Sequence, residues 1–113
     1  MPKEITTRLK DHYLKLQAIN NPYDLDESTT AILGLLTELT EKSRYEELSA
    51  KAIIDITATL ELEVVESIEA YEKVQNSNDS KQKAIYDELM NKALMQVRLD
   101  LATLIHAFEV TPV

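Results

Sequence analysis

The chain contains one glycine, Gly34, and from Leu35 to Thr111 it runs for 77 residues without a glycine or a proline. These two residue types let a backbone reverse sharply, so their absence leaves few sites for hairpins and favours long helices. Phosphate-binding loops, nucleophile elbows and dinucleotide-binding turns also need glycine at fixed positions, which this segment lacks. The sequence therefore predicts an all-α fold and contains no motif for those three kinds of site.

Length and composition indicate a single helical domain covering residues 1–113. Hydrophobic residues make up 44% of the chain and charged residues 28%, which supplies enough apolar side chains for a core. Cysteine is absent, which excludes disulfides and thiolate metal sites. No apolar stretch approaches the roughly 20 residues that span a bilayer, and no signal-peptide pattern follows Met1. We therefore expect a cytoplasmic protein without membrane contact.

The net charge of −8 argues against a nucleic-acid partner, because phosphate binding normally requires a basic stripe. Between Ala52 and Glu72 the chain instead carries six acidic residues and no lysine or arginine. Most charge runs of this kind mark a solvated helix face. A second interpretation is an acidic face that binds a basic protein partner, formed by Glu61, Glu63, Glu66, Glu69 and Glu72.

Apolar spacing predicts an antiparallel bundle of about four helices, two shorter ones followed by two long ones. The first helix is predicted from Pro2 to about Ile19 and ends at the turn-forming residues 20–24. The second is predicted to start near Asp24 or Asp26, where acidic residues resemble a capping box.

The start of the third helix is the main topological question. A capping-box pattern at Ser43 predicts a break there, but one continuous helix from Asp26 to about Asn76 fits the same residues. Such a helix would be about 75 Å long at 1.5 Å per residue, which is unusual for a compact domain. Asp79, in the turn at 77–80, is predicted to cap the last helix.

Residues 53–65 carry two conflicting patterns. From Ile54 to Val64 apolar and polar residues alternate, which is typical of a strand. The same segment also holds two rows of apolar residues at three- and four-residue spacing, one of them being Ala50, Ile54, Ala58, Leu62, Val65 and Ile68. A lone strand would leave its backbone groups unpaired, so a helix with two apolar rows is the preferred interpretation.

The last predicted helix also has two apolar rows. The row predicted to form the core contains Tyr86, Met90, Ala93, Val97, Leu101, Leu104 and Phe108. The second lies on nearly the opposite side and contains Met95, Leu99, Ala102 and His106. One small core does not need both rows, so the second is a candidate interface, with dimerisation as a way to complete the bundle. The alternative is a core of three or four helices that absorbs both rows.

The sequence gives little support for a metal-binding or catalytic motif. Neither of the two histidines completes a Glu-x-x-His motif, so we predict no metal site, no cofactor and no catalytic residue. Glu38 and Glu41 have the Glu-x-x-Glu spacing of helical nucleotide pyrophosphohydrolases, but the chain contains no Glu-x-x-Asp to complete that pattern. A magnesium-dependent helical hydrolase using Glu38, Glu41, Glu63 and Glu66 is retained as the second alternative function.

The surplus apolar rows favour a non-enzymatic protein-protein interaction module as the function of this chain. We expect a small homo-oligomeric regulatory or adaptor protein, with a homodimer as its simplest form. The first alternative is an acidic inhibitor or immunity-type protein whose glutamates bind a basic partner.

Overall fold

The computed structural model describes residues 3–40 and 46–110, which form five α-helices and no strand. The helices are α1 (Lys3–Leu16), α2 (Pro22–Thr40), α3 (Glu46–Thr59), α4 (Val65–Gln75) and α5 (Ser80–Val110). A π-helical turn, Leu60–Val64, joins α3 directly to α4, so that these two helices and the turn form one continuous rod. The described residues therefore pack as four rods, two shorter ones followed by two long ones, which confirms the predicted all-α bundle.

The long rods lie side by side and the shorter helices cover one side of them. Both α3 and α4 pack against α5, and α2 packs mainly against α3. Within the described residues, α1 contacts α2 and α5 but neither α3 nor α4. The described part of the chain measures 54 × 22 × 18 Å. No helix within it is both long and apolar enough to cross a membrane.

Capping residues explain where two of the helices begin. The Oδ1 atom of Asn21 accepts a hydrogen bond from the backbone N–H of Asp24 at 2.9 Å, and Pro22 occupies the first helical position. The predicted start of α2 near Asp24 or Asp26 is therefore too late. At α5 the prediction is confirmed, because Oδ1 of Asp79 accepts a hydrogen bond from the N–H of Lys81 at 2.9 Å.

The predicted break at Ser43 lies outside the described residues. Because α2 packs against α3, and Tyr23 at the start of α2 donates a hydrogen bond to Glu72 of α4, the single long helix from Asp26 to Asn76 is excluded. At the N-terminal end of α2, a group of tyrosines packs this helix against the long rods. The ring centroids of Tyr23 and Tyr71 are 5.6 Å apart, and those of Tyr71 and Tyr86 are 5.2 Å apart.

The core is an apolar seam between the four rods. It includes Leu9 and Leu16 from α1, Leu25, Ile32, Leu35 and Leu36 from α2, Ile56 from α3, and Val64 from the π-helical turn. The predicted core row of α5 is buried from Met90 to Phe108, and Tyr86 packs partly buried at its edge.

The segment from Ile54 to Val64 is helical, so the helix interpretation is confirmed and the strand alternative is wrong. A regular helix would turn Glu63, seven residues after the buried Ile56, towards the core. The wider π-helical turn buries Val64 instead and leaves the Glu63 side chain 18% exposed. The Oε1 atom of Glu63 then lies 3.9 Å from Nζ of Lys92 on α5.

Candidate functional site

The second apolar row of α5, which we call the α5 outer row, faces away from the core. It consists of Met95, Leu99, Ala102 and His106. Met95 is 66% exposed and Leu99 is 61% exposed, although both are large apolar side chains. His106 is also exposed, whereas Ala102 is half-buried. The core of the chain therefore leaves the central part of this row uncovered.

A matching row of apolar residues lies on the neighbouring rod. Ile54 of α3 is 68% exposed, Ala58 is exposed, and Leu62 of the π-helical turn is 59% exposed. These three residues follow one another at four-residue spacing, so they share one side of the rod. We call them the α3 outer row.

The α5 outer row borders the seam where α3 packs on α5 through Leu99. An open groove along this seam is lined from α3 by Lys51, Ala52 and Asp55, and from α5 by Leu99, Asp100 and Thr103, with Leu104 and Ala107 at its end. A second open groove contains Met95 and Leu99 together with Glu88, Asn91, Lys92 and Gln96. Leu99 lies in both grooves, which places this one residue of the α5 outer row next to Lys51, Ala52 and Asp55 of α3.

Two carboxylates face each other across the seam. Partial burial raises the pKa of Asp100, and the negative charge of Asp55 raises it further. A hydrogen bond from Nε2 of Gln96 to Oδ1 of Asp100, 2.9 Å long, acts in the opposite direction. The Oδ2 atom of Asp100 is buried and has no hydrogen-bond partner among the described residues.

The other edge of the α5 outer row meets α1. Ala102 and His106 line a shallow groove there with Lys10, Tyr13 and Glu109. Nζ of Lys10 lies 2.6 Å from Oε1 of Glu109, and this hydrogen bond together with the charge of Lys10 lowers the pKa of the Glu109 carboxyl. This ion pair links α1 to α5 beside the half-buried Ala102.

The five glutamates of the predicted acidic face lie in different surroundings. Glu61, Glu66 and Glu69 are exposed, whereas Glu63 is largely buried beside Lys92. Glu72 accepts a hydrogen bond from the Tyr23 hydroxyl at 3.3 Å. Two of the five are thus engaged within the chain, and recognition of a basic partner stays a prediction.

The residues of the predicted magnesium hydrolase are also dispersed. Oε2 of Glu38 lies 3.6 Å from Nη1 of Arg8, and Glu63 faces Lys92. Glu41 lies outside the described residues. In the part of the chain that the structure describes, no three His, Cys, Asp or Glu side chains come together in a group that could hold a metal ion.

Comparison of the chain with protein-family models, with curated proteins and with solved structures finds no match. What the site does must therefore be argued from its own geometry and chemistry. Exposed apolar side chains flanked by charged ones are typical of surfaces that bind other proteins.

Proposed function

We propose that this protein is a non-enzymatic protein-protein interaction module that self-associates through its outer rows. The observation that carries the proposal is the exposure of Met95 and Leu99, one helical turn apart on the same side of α5. Removing one such side chain from water contributes roughly 1.5–3 kcal/mol, so two neighbouring ones give a partner a substantial gain.

The shape of this surface favours a protein over a small molecule as the partner. Small-molecule sites are concave and enclose most of their ligand, whereas the grooves beside Leu99 are open to solvent. Another helix fits here better, because its side chains can interdigitate with a row that repeats at three- and four-residue spacing.

The test is the molar mass of a Leu99→Glu variant measured by light scattering over a range of concentrations. We expect the wild type to form a dimer of the 12.9 kDa chain and the variant to be monomeric, since a carboxylate in the contact would have to lose its water. Leu14→Glu is the matched control, because Leu14 lies on α1 and is also 61% exposed.

Circular dichroism separates loss of association from loss of folding. The proposal requires that Leu99→Glu keeps the helical spectrum of the wild type and that Leu14→Glu remains a dimer. If Leu99→Glu and the wild type have the same mass while both are folded, the α5 outer row is not a contact and the proposal is wrong.

A further inference from the structure

Four exposed residues of α5, Glu88, Met95, Leu99 and His106, are spaced symmetrically about one point, whereas Ala102 of the α5 outer row has no apolar counterpart in this spacing. Counting along its exposed side, Glu88 is seven residues before Met95, Leu99 is four after Met95, and His106 is seven after Leu99. The centre of this series lies at the height of Val97. A second α5 packed antiparallel about that centre would place Met95 against Leu99 of the second copy, and Glu88 against its His106.

The rod formed by α3 and the π-helical turn shows the same kind of symmetry about Ala58. Ile54 and Leu62 lie four residues on either side, while Lys51 and Glu66, both exposed, lie seven and eight residues away. An antiparallel second copy centred on Ala58 would place Ile54 against Leu62 of that copy, and Lys51 against its Glu66. Ala58 itself is small, which lets the two rods approach closely.

The two centres lie at the same height in the molecule. The ion pair between Glu63 and Lys92, and the groove that Asp55 and Asp100 line together, show which residues of the antiparallel rods are level. Ala58 is three residues from Asp55 and five from Glu63.

Val97 is likewise three residues from Asp100 and five from Lys92. A single two-fold axis, perpendicular to the rods and lying in the contact plane, therefore aligns Met95 with Leu99 and Ile54 with Leu62 of the second copy at once. Each centre is fixed by the residues of its own rod, so their common height independently supports this arrangement.

We infer that a second copy of this chain binds face to face about this axis, with α5 antiparallel to α5 and α3 antiparallel to α3. The inference rests on the proposed self-association and adds the orientation and the contacts. From Glu88 to His106 the face is about 27 Å long, and two adjacent helices are about 20 Å wide. Two such faces bury about 1,000 Å², which reaches the lower limit for a specific interface.

Charge distinguishes this arrangement from the other face-to-face dimer, in which the axis runs along the rods. That dimer would place Glu66 beside Glu88 of the second copy and Leu62 over its Lys92, which sets like charges together and buries an apolar side chain against a charged one. The perpendicular axis instead pairs Lys51 with Glu66 at both ends of the α3 contact, and the like charges that it sets level, Asp55 and Glu61 of the second copy, lie nearer its centre.

Charge reversal tests the register directly. Lys51 and Glu66 are 15 residues apart on one rod, about 22 Å, so they cannot meet within a single chain. We expect Lys51→Glu or Glu66→Lys alone to raise the dissociation constant of the dimer about ten-fold, because each change affects two contacts. The double variant should return the dissociation constant close to the wild-type value. Lys83→Glu, at the N-terminal end of α5 and outside the proposed contact, should leave it unchanged.

A single cysteine gives a second readout, because the chain has none of its own. Ala58→Cys should form a disulfide-linked dimer under mild oxidation, since its Cα atoms meet across the axis, and Lys83→Cys should not. Suppose that Leu99→Glu dissociates the dimer, but that Ala58→Cys does not cross-link and the double charge variant does not restore the wild-type dissociation constant. Self-association is then supported and this register is wrong. If the wild type is monomeric at every concentration, both proposals fail.

Discussion

The two sides of α5 carry similar apolar side chains, which are buried on one side and exposed on the other. On the inner side Met90 is 7% exposed and Val97 fully buried, whereas on the outer side Met95 is 66% and Leu99 61% exposed. All four lie on one unbroken helix, in rows with the same spacing of three and four residues. The difference arises from the neighbours, because α1, α2, α3 and α4 all cover the inner side.

The rod of α3, the π-helical turn and α4 repeats this contrast. Ile56 and Val64 are fully buried, while Ile54 and Leu62 are among the most exposed apolar side chains of the described chain. Two rows that are equally apolar in the sequence thus have different surroundings. The inner rows stabilise the fold of one copy, and in our account the outer rows stabilise contact between copies.

The contrast between the inner and outer sides of α5 is tested most strongly by truncating one leucine on each side. Leu101→Ala should lower the free energy of unfolding by about 2–5 kcal/mol, because Leu101 is fully buried and the substitution leaves a cavity. Leu99→Ala should change it by no more than about 0.5 kcal/mol. Both values come from urea unfolding at concentrations low enough to keep the copies apart.

The order of the two effects should be reversed when the dissociation constant of the dimer is measured instead of the free energy of unfolding. Leu99→Ala should weaken the dimer while leaving the monomer stable. Equal losses of monomer stability for Leu99→Ala and Leu101→Ala would contradict the division of α5 into an inner and an outer side.

A smaller effect is expected for the same experiment at the π-helical turn. Val64→Ala should lower the free energy of unfolding by about 1–3 kcal/mol, because Val64 is fully buried. Leu62→Ala, two residues away, should change it by less than about 0.5 kcal/mol. If Leu62→Ala costs more than Val64→Ala in thermal or urea unfolding, the register that we assign to the π-helical turn is wrong.

The smallest effect is expected at the border between the two sides, at Asp100. Its pKa is raised in the folded state, so the fold is favoured while the carboxyl is protonated, and that contribution is lost as the pH rises through the raised pKa. Asp100→Asn cannot ionise and should therefore be more stable than the wild type at pH 7, by less than about 1 kcal/mol because the site is partly solvated.

The difference between Asp100→Asn and the wild type should disappear below the ordinary carboxyl pKa range, where the wild-type side chain is also uncharged. Unfolding followed at pH 7 and at low pH measures both values. A gain in stability that is the same at both pH values would show that the charge of Asp100 is not its cause.

Much of the fold could be predicted from the sequence, because each helix carries its own signals. The core row of α5 followed from its spacing, and the start of α5 followed from Asp79. The start of α2 was predicted too late, since Pro22 was interpreted as part of the turn although its fixed backbone angle suits the first helical position.

Two features depend on tertiary packing and could not be predicted. The π-helical turn arises where a regular helix would bring Glu63 towards the core, and this conflict becomes visible only when the buried side of α3 is known. The common height of Ala58 and Val97 depends on how α3 lies against α5. The sequence therefore identified both apolar rows but not that their centres lie at the same height.

The most direct test of the outer rows uses the methyl groups of the three methionines, Met1, Met90 and Met95, which NMR can follow one by one after assignment by substitution. A soluble paramagnetic probe broadens methyl signals that water can reach. We predict that the Met90 methyl is protected at every protein concentration, whereas the Met95 methyl is accessible in dilute samples and becomes protected as concentration rises. A Met95 methyl that stays accessible in concentrated samples would contradict the account.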